Sequence, residues 1–477
     1  MTAKTTLEHI AAWAASAPDQ WPNACMEPAI HGITDTVACM VSGATDVAAA
    51  SVRATVQSWG TGNGGATIVG SGHKAPAPFA AFANGTAAHA QDFDDNFLAA
   101  LTHASAVLVP ALLALGEETQ ASGADIIDAY LVGLECHAAL GRGVNRSHYL
   151  KGWHATATVG AIGTAAACAR LLGLDVGRTQ HAMSLGTSMA AGLKGQFGSH
   201  AKPFQAGMAA QNGVLAACFA RDGVQGRAEV LDNDYGFLKL YGGDAPPGWD
   251  FDVYPLGDSQ GDAQSVTPHV IEAVGLAPKI HPCCGSTHKS VDNLLDLKSQ
   301  HDFQPADVAS MHTFVNTSNV LNLCFDDPKD EMEARFSMQY CMAVALQNDF
   351  ISLKDFTPDA VHRPDIRALL ALTTMSATPP EAELNPTGAY VHELTLTMTS
   401  GEILKTTRAA AKGTLGDPFT DTDRWRKFED CCSPVLGDAA TAGLYEACAR
   451  LADAPGLGEV MQEMVAAEGN GAGVRVA

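Results

Sequence analysis

His154-Ala-Thr-Ala-Thr-Val-Gly-Ala-Ile-Gly-Thr-Ala-Ala-Ala-Cys-Ala-Arg-Leu-Leu-Gly-Leu174 decides the fold class. Ala, Gly and Thr let neighbouring backbones come close, so this stretch predicts a helix packed on all sides rather than a surface helix with one apolar stripe. The Gly152-Trp153-His154 lead-in holds one titratable side chain at a fixed point of the helix start. There it either moves protons or merely satisfies nearby backbone groups.

Outward from that segment, residues 7–240 read as helix after helix, Ala-rich and punctuated by Gly and Pro. Residues 126–141, 160–174 and 207–221 carry small and aliphatic side chains through several turns. Around 241–267 the composition shifts to Gly, Pro and Asp, which marks a boundary. Beyond it, 311–316 reads as a strand. Residues 391–408 alternate, with Leu394, Leu396 and Met398 on one face and a turn at Ser400-Gly401, which predicts a hairpin. Helical stretches at 290–297 and 337–346 make this an α+β unit. From 424 to 450, and on to 468, the chain turns helical again. The expected architecture is mainly α: a large all-helical domain from 1–266 and 410–477, and a smaller α+β domain from 267–409.

The 477 residues are 47% apolar, enough for two or three globular domains. Twenty-nine basic against 52 acidic residues give a net charge of −23, which repels nucleic acid and anionic membrane surfaces alike. No uninterrupted apolar run reaches membrane-spanning length. The first twenty residues are broken by Glu8 and His9 and do not form a signal peptide. The twelve cysteines show no C-x-x-C, and only Cys283-Cys284 and Cys431-Cys432 are adjacent. Reduced thiols in a cytoplasmic protein follow.

The acidic stretch Asp92-Phe93-Asp94-Asp95 suits a divalent metal, acid–base work, or simply a solvated helix end. No H-x-H, H-E-x-x-H or second acidic motif accompanies it, so a metal-free site is expected. Lys202-Pro203 places a lysine at a helix start, where it either meets a carboxylate or is an ordinary surface charge. Cys284 reads as an inert thiol. Tyr340 by itself reads as a helix-face aromatic in the core.

Taken in order, Asn84 to Asn96 with His89 and Asp92, Thr102-His103-Ala104-Ser105, Ser199-His200-Ala201-Lys202-Pro203, Lys279-Ile280-His281-Pro282-Cys283-Cys284 and Arg335-Phe336-Ser337-Met338-Gln339-Tyr340 resemble the MmgE/PrpD family. The resemblance spans nearly the whole chain. It implies a helical domain built from both chain ends, an α+β lid between them, and a homodimer. It also implies cofactor-free proton transfer beside a carboxylate of a small anionic di- or tricarboxylate. On it, His103, His154, Tyr340, Asp92 and Lys202 are expected to be catalytic, and Lys279, Asn96, His200, Cys284 and Arg335 to bind substrate.

His103-Ala104-Ser105 stands where the family pattern has His-Pro-Ser, and Asn96 replaces a Thr followed by Trp. These departures favour epimerisation of iminodisuccinate as the expected reaction. Decarboxylation of cis-aconitate or dehydration of a 2-methylcitrate-like substrate is the alternative. From other classes, a magnesium-dependent prenyl-transfer enzyme lacks its second acidic motif, and a non-catalytic helical scaffold leaves the histidines and lysines unexplained.

Overall fold

The structure, a computed structural model, describes residues 4–18, 20–60, 64–258, 267–379 and 391–465. Helices dominate the first part of the chain: α1 (Thr6–Ser16), α2 (Asn23–Gly43), α3 (Val47–Ser58), α4 (Ala77–Ala90), α5 (Ala104–Thr119), α6 (Gly123–Val144), α7 (Ser147–Lys151), α8 (Ala155–Leu171), α9 (Val176–Ser188), α10 (Ala201–Arg221) and α11 (Phe237–Tyr241). Their starts are written locally. Thr5 with Glu8, and Ser122 with Asp125, form reciprocal capping boxes, and the Asp46 and Asp175 carboxylates accept from the first turns of α3 and α9.

Small residues set how closely these helices pack. A Cβ on Gly207 of α10 would lie 2.2 Å from Thr86 Oγ1 and 2.5 Å from the Phe82 carbonyl of α4. One on Gly213 of α10 would lie 2.4 Å from Thr164 Cγ2 of α8, and one on Gly186 of α9 would lie 3.0 Å from the Ala161 carbonyl. Helix α10 is thereby locked between α4 and α8, and any larger residue at these points must push a backbone aside.

Contacts divide the chain into two compact units. The first is Met1–Gln196, His200–Leu276 and Trp425–Ala477; the second is Phe197–Ser199 and Ala277–Arg424. After α12 (Val270–Ala273), the second unit holds α13 (Gly285–Gln300), α14 (Thr317–Asn322), α15 (Glu331–Ala334) and α16 (Met338–Gln347). A short hairpin in the first unit pairs β1 (Ala66–Thr67) with β2 (Lys74–Ala75). The sheet of the second unit combines β3 (Val308–Val315), β4 (Thr373–Ala377), β5 (His392–Met398) and β6 (Ile403–Arg408) in the order β4-β3-β5-β6. Only β3 and β4 run parallel. Leu394 and Leu396 of β5, Met311 of β3, Leu294 of α13 and Met342 of α16 are fully buried in one cluster.

The chain is mainly α. In detail, α8 begins at Ala155 directly after His154, and α10 at Ala201 with Pro203 in its first turn, at the helix starts expected from Gly152-Trp153-His154 and Lys202-Pro203. The expected helix 424–450 is two, Asp421–Leu436 and Asp438–Ala449, parted at Gly437 with φ +81°. The expected continuation to 468 runs past the described residues, and residues 259–266, just before the expected boundary, also lie outside them. Neither the β1–β2 hairpin nor β4 was expected. Among the described residues no helix is long and apolar enough to cross a membrane, and no disulfide forms.

Candidate active site

Four helix ends of the first unit deliver the polar side chains. His89 lies in the last turn of α4, and His103 and His154 are the residues at which α5 and α8 start. Lys202 and Gln205 occupy the first turns of α10. Between α4 and α5 runs the acid loop. Asp92 there adopts a left-handed φ of +51°, which a short polar side chain tolerates better than most, and a Phe97–Thr102 bridge closes the far part of the loop.

Asp94 organises the histidines. Its Oδ2 is 2.8 Å from His89 Nδ1 and 3.2 Å from His103 Nδ1, and the latter also lies 2.8 Å from the Asp95 carbonyl. All of these oxygens accept, so both Nδ1 atoms carry their protons and each ring keeps its Nε2 lone pair. His154 is fixed in the same sense, with Nδ1 2.7 Å from Gln205 Oε1. The three rings are close: His89 lies 4.5 Å from His103 and 5.8 Å from His154, centroid to centroid. The His103 amide donates to Thr156 Oγ1 at 3.0 Å, tying the start of α5 to that of α8.

Electrostatics separate the roles. Burial pushes His89 down to about 4 despite the Asp94 carboxylate, with Lys202 and His103 adding to the effect. His154 is held well below the ordinary histidine value by burial, and further by His89 and Lys202. Burial alone would raise Asp94, but the facing His89 and His103 hold it well below the carboxylate range. Asp95 differs: burial raises it to about 7, although the Ser105 hydroxyl donates to it. Ser105 in turn lies 2.6 Å from the Tyr130 hydroxyl. Lys202 forms a buried ion pair with Asp92. The His103 side chain, 15% exposed, is the most open of the three imidazoles.

Of the residues expected to act, the structure thus links His103, His154, Asp92 and Lys202 in the first unit. It adds His89, Asp94 and Gln205. In sequence, His89 and Gln205 looked like ordinary helix residues, and only the fold turns them inward. Asn96 is half-buried nearby in sequence, and His200 is exposed just before α10.

The other residues belong to the second unit. Lys279 and Arg335 are buried; the Arg335 guanidinium donates to the Glu331 carbonyl and lies over the Phe356 ring. Cys284 is the residue at which α13 starts, its amide bonded to the Arg335 carbonyl. Tyr340 departs from the catalytic expectation. It is fully buried in the core, and its hydroxyl donates to the Asp355 carbonyl at 2.5 Å, so that proton is committed.

The sequence shows no metal-ligand spacing apart from the acidic run, and the fold brings two histidines to that run. One donor atom each from His89, Asp94 and His103 lies within 4.8 Å of the others, a grouping hidden by their spacing along the chain. The imidazole and carboxylate donors suit a divalent ion. Each Nδ1, however, points its proton at Asp94, and a cation would have to displace both bonds.

A helical unit that gathers three imidazoles, two of them bonded to one ionised carboxylate, is an arrangement for moving protons. Residues 8–250 match the family model for the MmgE/PrpD N-terminal domain, and 281–451 match that for the C-terminal domain. The chain belongs to the MmgE/PrpD family. It is 28% identical over 389 residues to a human cis-aconitate decarboxylase, covering 79% of this chain and 77% of that one. To a cis-aconitate decarboxylase of Aspergillus terreus it is 29% identical over 388 residues, 76% of each chain. A cis-aconitate decarboxylase-like protein of Aspergillus oryzae is 26% identical over 444 residues, 86% of this chain and 87% of the other.

Proposed function

We propose that this protein is a lyase that decarboxylates a small unsaturated tricarboxylate, with cis-aconitate the first substrate to test. The names of its relatives favour this chemistry over the iminodisuccinate epimerisation expected from the sequence. In such a reaction the bond to the departing carboxylate breaks and its electron pair forms a new double bond. The electrons of the old double bond take a proton at the carbon α to a remaining carboxylate. Carbon dioxide leaves, and one proton is consumed.

The observation that carries the reading is Asp94 shared between His89 and His103 at 2.8 and 3.2 Å. His103 delivers the proton from Nε2. Its Nδ1–H, anchored on Asp94 and the Asp95 carbonyl, keeps the ring oriented, and the Asp94 charge stabilises the imidazolium before delivery. His154, anchored on Gln205, is a second proton-handling group. Lys202, in the first turn of α10 where the helix dipole adds positive potential, binds a substrate carboxylate alongside its bond to Asp92. The scheme uses no metal or cofactor.

The test is incubation with cis-aconitate in heavy water, followed by NMR. Loss of one carboxylate with one deuterium entering α to a remaining carboxylate is expected. His103→Ala and Asp94→Asn should each slow this by on the order of 10²–10⁴-fold. Inert cis-aconitate together with solvent exchange into iminodisuccinate would return the assignment to epimerisation, and a fully active His103→Ala would remove His103 from the mechanism.

A further inference from the structure

The peptide between the two working aspartates is held from behind by a lysine nearly at the other end of the chain. Lys427, in the helix Asp421–Leu436, is 1% exposed. Its ammonium donates to the Phe93 carbonyl at 2.7 Å, pairs with the Asp35 carboxylate of α2 at 2.7 Å, and stands 4.4 Å from the centre of the Phe93 ring. Phe93 is itself buried, and it separates Asp92, paired with Lys202, from Asp94, which bridges His89 and His103. We propose that Lys427 is a positioning residue for proton transfer: its bond to the Phe93 carbonyl sets the placement of Asp92 and Asp94, and through Asp94 the orientation of His89 and His103.

Two features separate this role from simple charge neutralisation. Lys427 divides its hydrogen bonds between a carboxylate and a backbone carbonyl, and only the carbonyl belongs to the acid loop. One helical turn on from each partner, the free Cys39 and Cys431 thiols share a hydrogen bond, and Phe428 is buried beside Lys427. The thiol contact to α2, and the packing of Phe428 on Tyr445 of the next helix, survive loss of the ammonium. Removing it leaves Asp35 without this cation and the Phe93 carbonyl without this donor, and these two losses can be tested separately.

The experiment compares Lys427→Met, Asp35→Asn and the double variant Asp35→Asn/Lys427→Met in the full-length protein. The readouts are kcat and KM on cis-aconitate, thermal midpoint, and the ¹⁵N-histidine spectrum, in which Nδ1–H bonds to Asp94 are visible without substrate. Asp35→Asn keeps the bond to Phe93 and should retain kcat and both histidine signals. Lys427→Met should lose on the order of 10²-fold in kcat, the scale of an ångström-sized misplacement, with a smaller change in KM and with those signals shifted or lost. The double variant should regain thermal stability but neither kcat nor the signals.

Wild-type kcat and spectra in the double variant would overturn the proposal, because Lys427 would then only neutralise Asp35. So would an Asp35→Asn variant as impaired as Lys427→Met, and this comparison decides the matter if the double variant does not fold. The kinetic arm rests on the decarboxylase reading. If wild-type protein leaves cis-aconitate untouched, that reading fails and the histidine spectrum alone decides the role of Lys427.

Discussion

Gln205 accepts the Nδ1 proton of His154 across 2.7 Å, and that one bond sets which nitrogen of the imidazole keeps a lone pair. Gln205→Leu removes the acceptor while leaving the ring buried, and it should lower stability by about 1–3 kcal/mol. With the tautomer released, kcat should fall by about tenfold. Gln205→Glu should act in the opposite electrostatic sense, raising the His154 pKa, which is visible as a shifted ¹⁵N titration. A titration unchanged by Glu would mean that this contact does not govern the ring.

Lys202→Ala should cost on the order of 2–5 kcal/mol in kcat/KM, because it removes a buried cation that pairs with Asp92. Lys279→Ala should produce a comparable loss with an intact circular dichroism spectrum. Wild-type kinetics in both variants would eliminate these lysines as carboxylate ligands.

Stability should fall steeply on acidification. Burial lowers His89 and His148 to about 4 and His137 and His392 to about 3, and it lowers His154 as well. When the folded-state pKa lies below the unfolded value near 6.5, the unfolded chain takes the proton first. Each group's contribution is then complete above pH 6.5 and is lost as pH falls toward 4 or 3, by about 1.4 kcal/mol per pH unit within that window. Asp95, raised to about 7, has the opposite sign. Its contribution is present at low pH and fades as pH rises from about 4 to 7, offsetting roughly one of the histidines. Calorimetry from pH 7.5 to 4.5 should show a falling midpoint, and a flat profile would contradict these buried neutral rings.

Exhaustive dialysis against a chelator should leave kcat unchanged, because both Nδ1 protons at Asp94 occupy the positions a cation would need. Lost activity restored by a stoichiometric divalent ion would instead make His89, Asp94 and His103 a metal centre.

Much of this was legible from the residues alone, and the exceptions share a cause. The Ala-, Gly- and Thr-rich helices announced close packing because local composition controls how near two backbones can come, as Gly207 against Phe82 and Thr86 shows. His103 entered through the family resemblance, and His154, Asp92 and Lys202 stood out because each sits at a helix start or in a short acidic run. His89 and Gln205 did not, since inside a small-residue helix nothing local tells which way a polar side chain faces. Tyr340 illustrates the converse: a helix-face tyrosine reads the same whether its hydroxyl meets a ligand or the Asp355 carbonyl. Strand β4 was missed because its parallel partner β3 lies far back along the chain.

The Lys427–Phe93 contact bridges 334 residues and the Lys427–Asp35 contact 392. On the ribosome, α4, the acid loop and α5 therefore emerge long before the lysine that fastens them, with the whole second unit made in between. A nascent or prematurely terminated chain carries the histidines and aspartates of the site without their fastening. On the role proposed for Lys427, proton transfer becomes possible only after the second unit has been made.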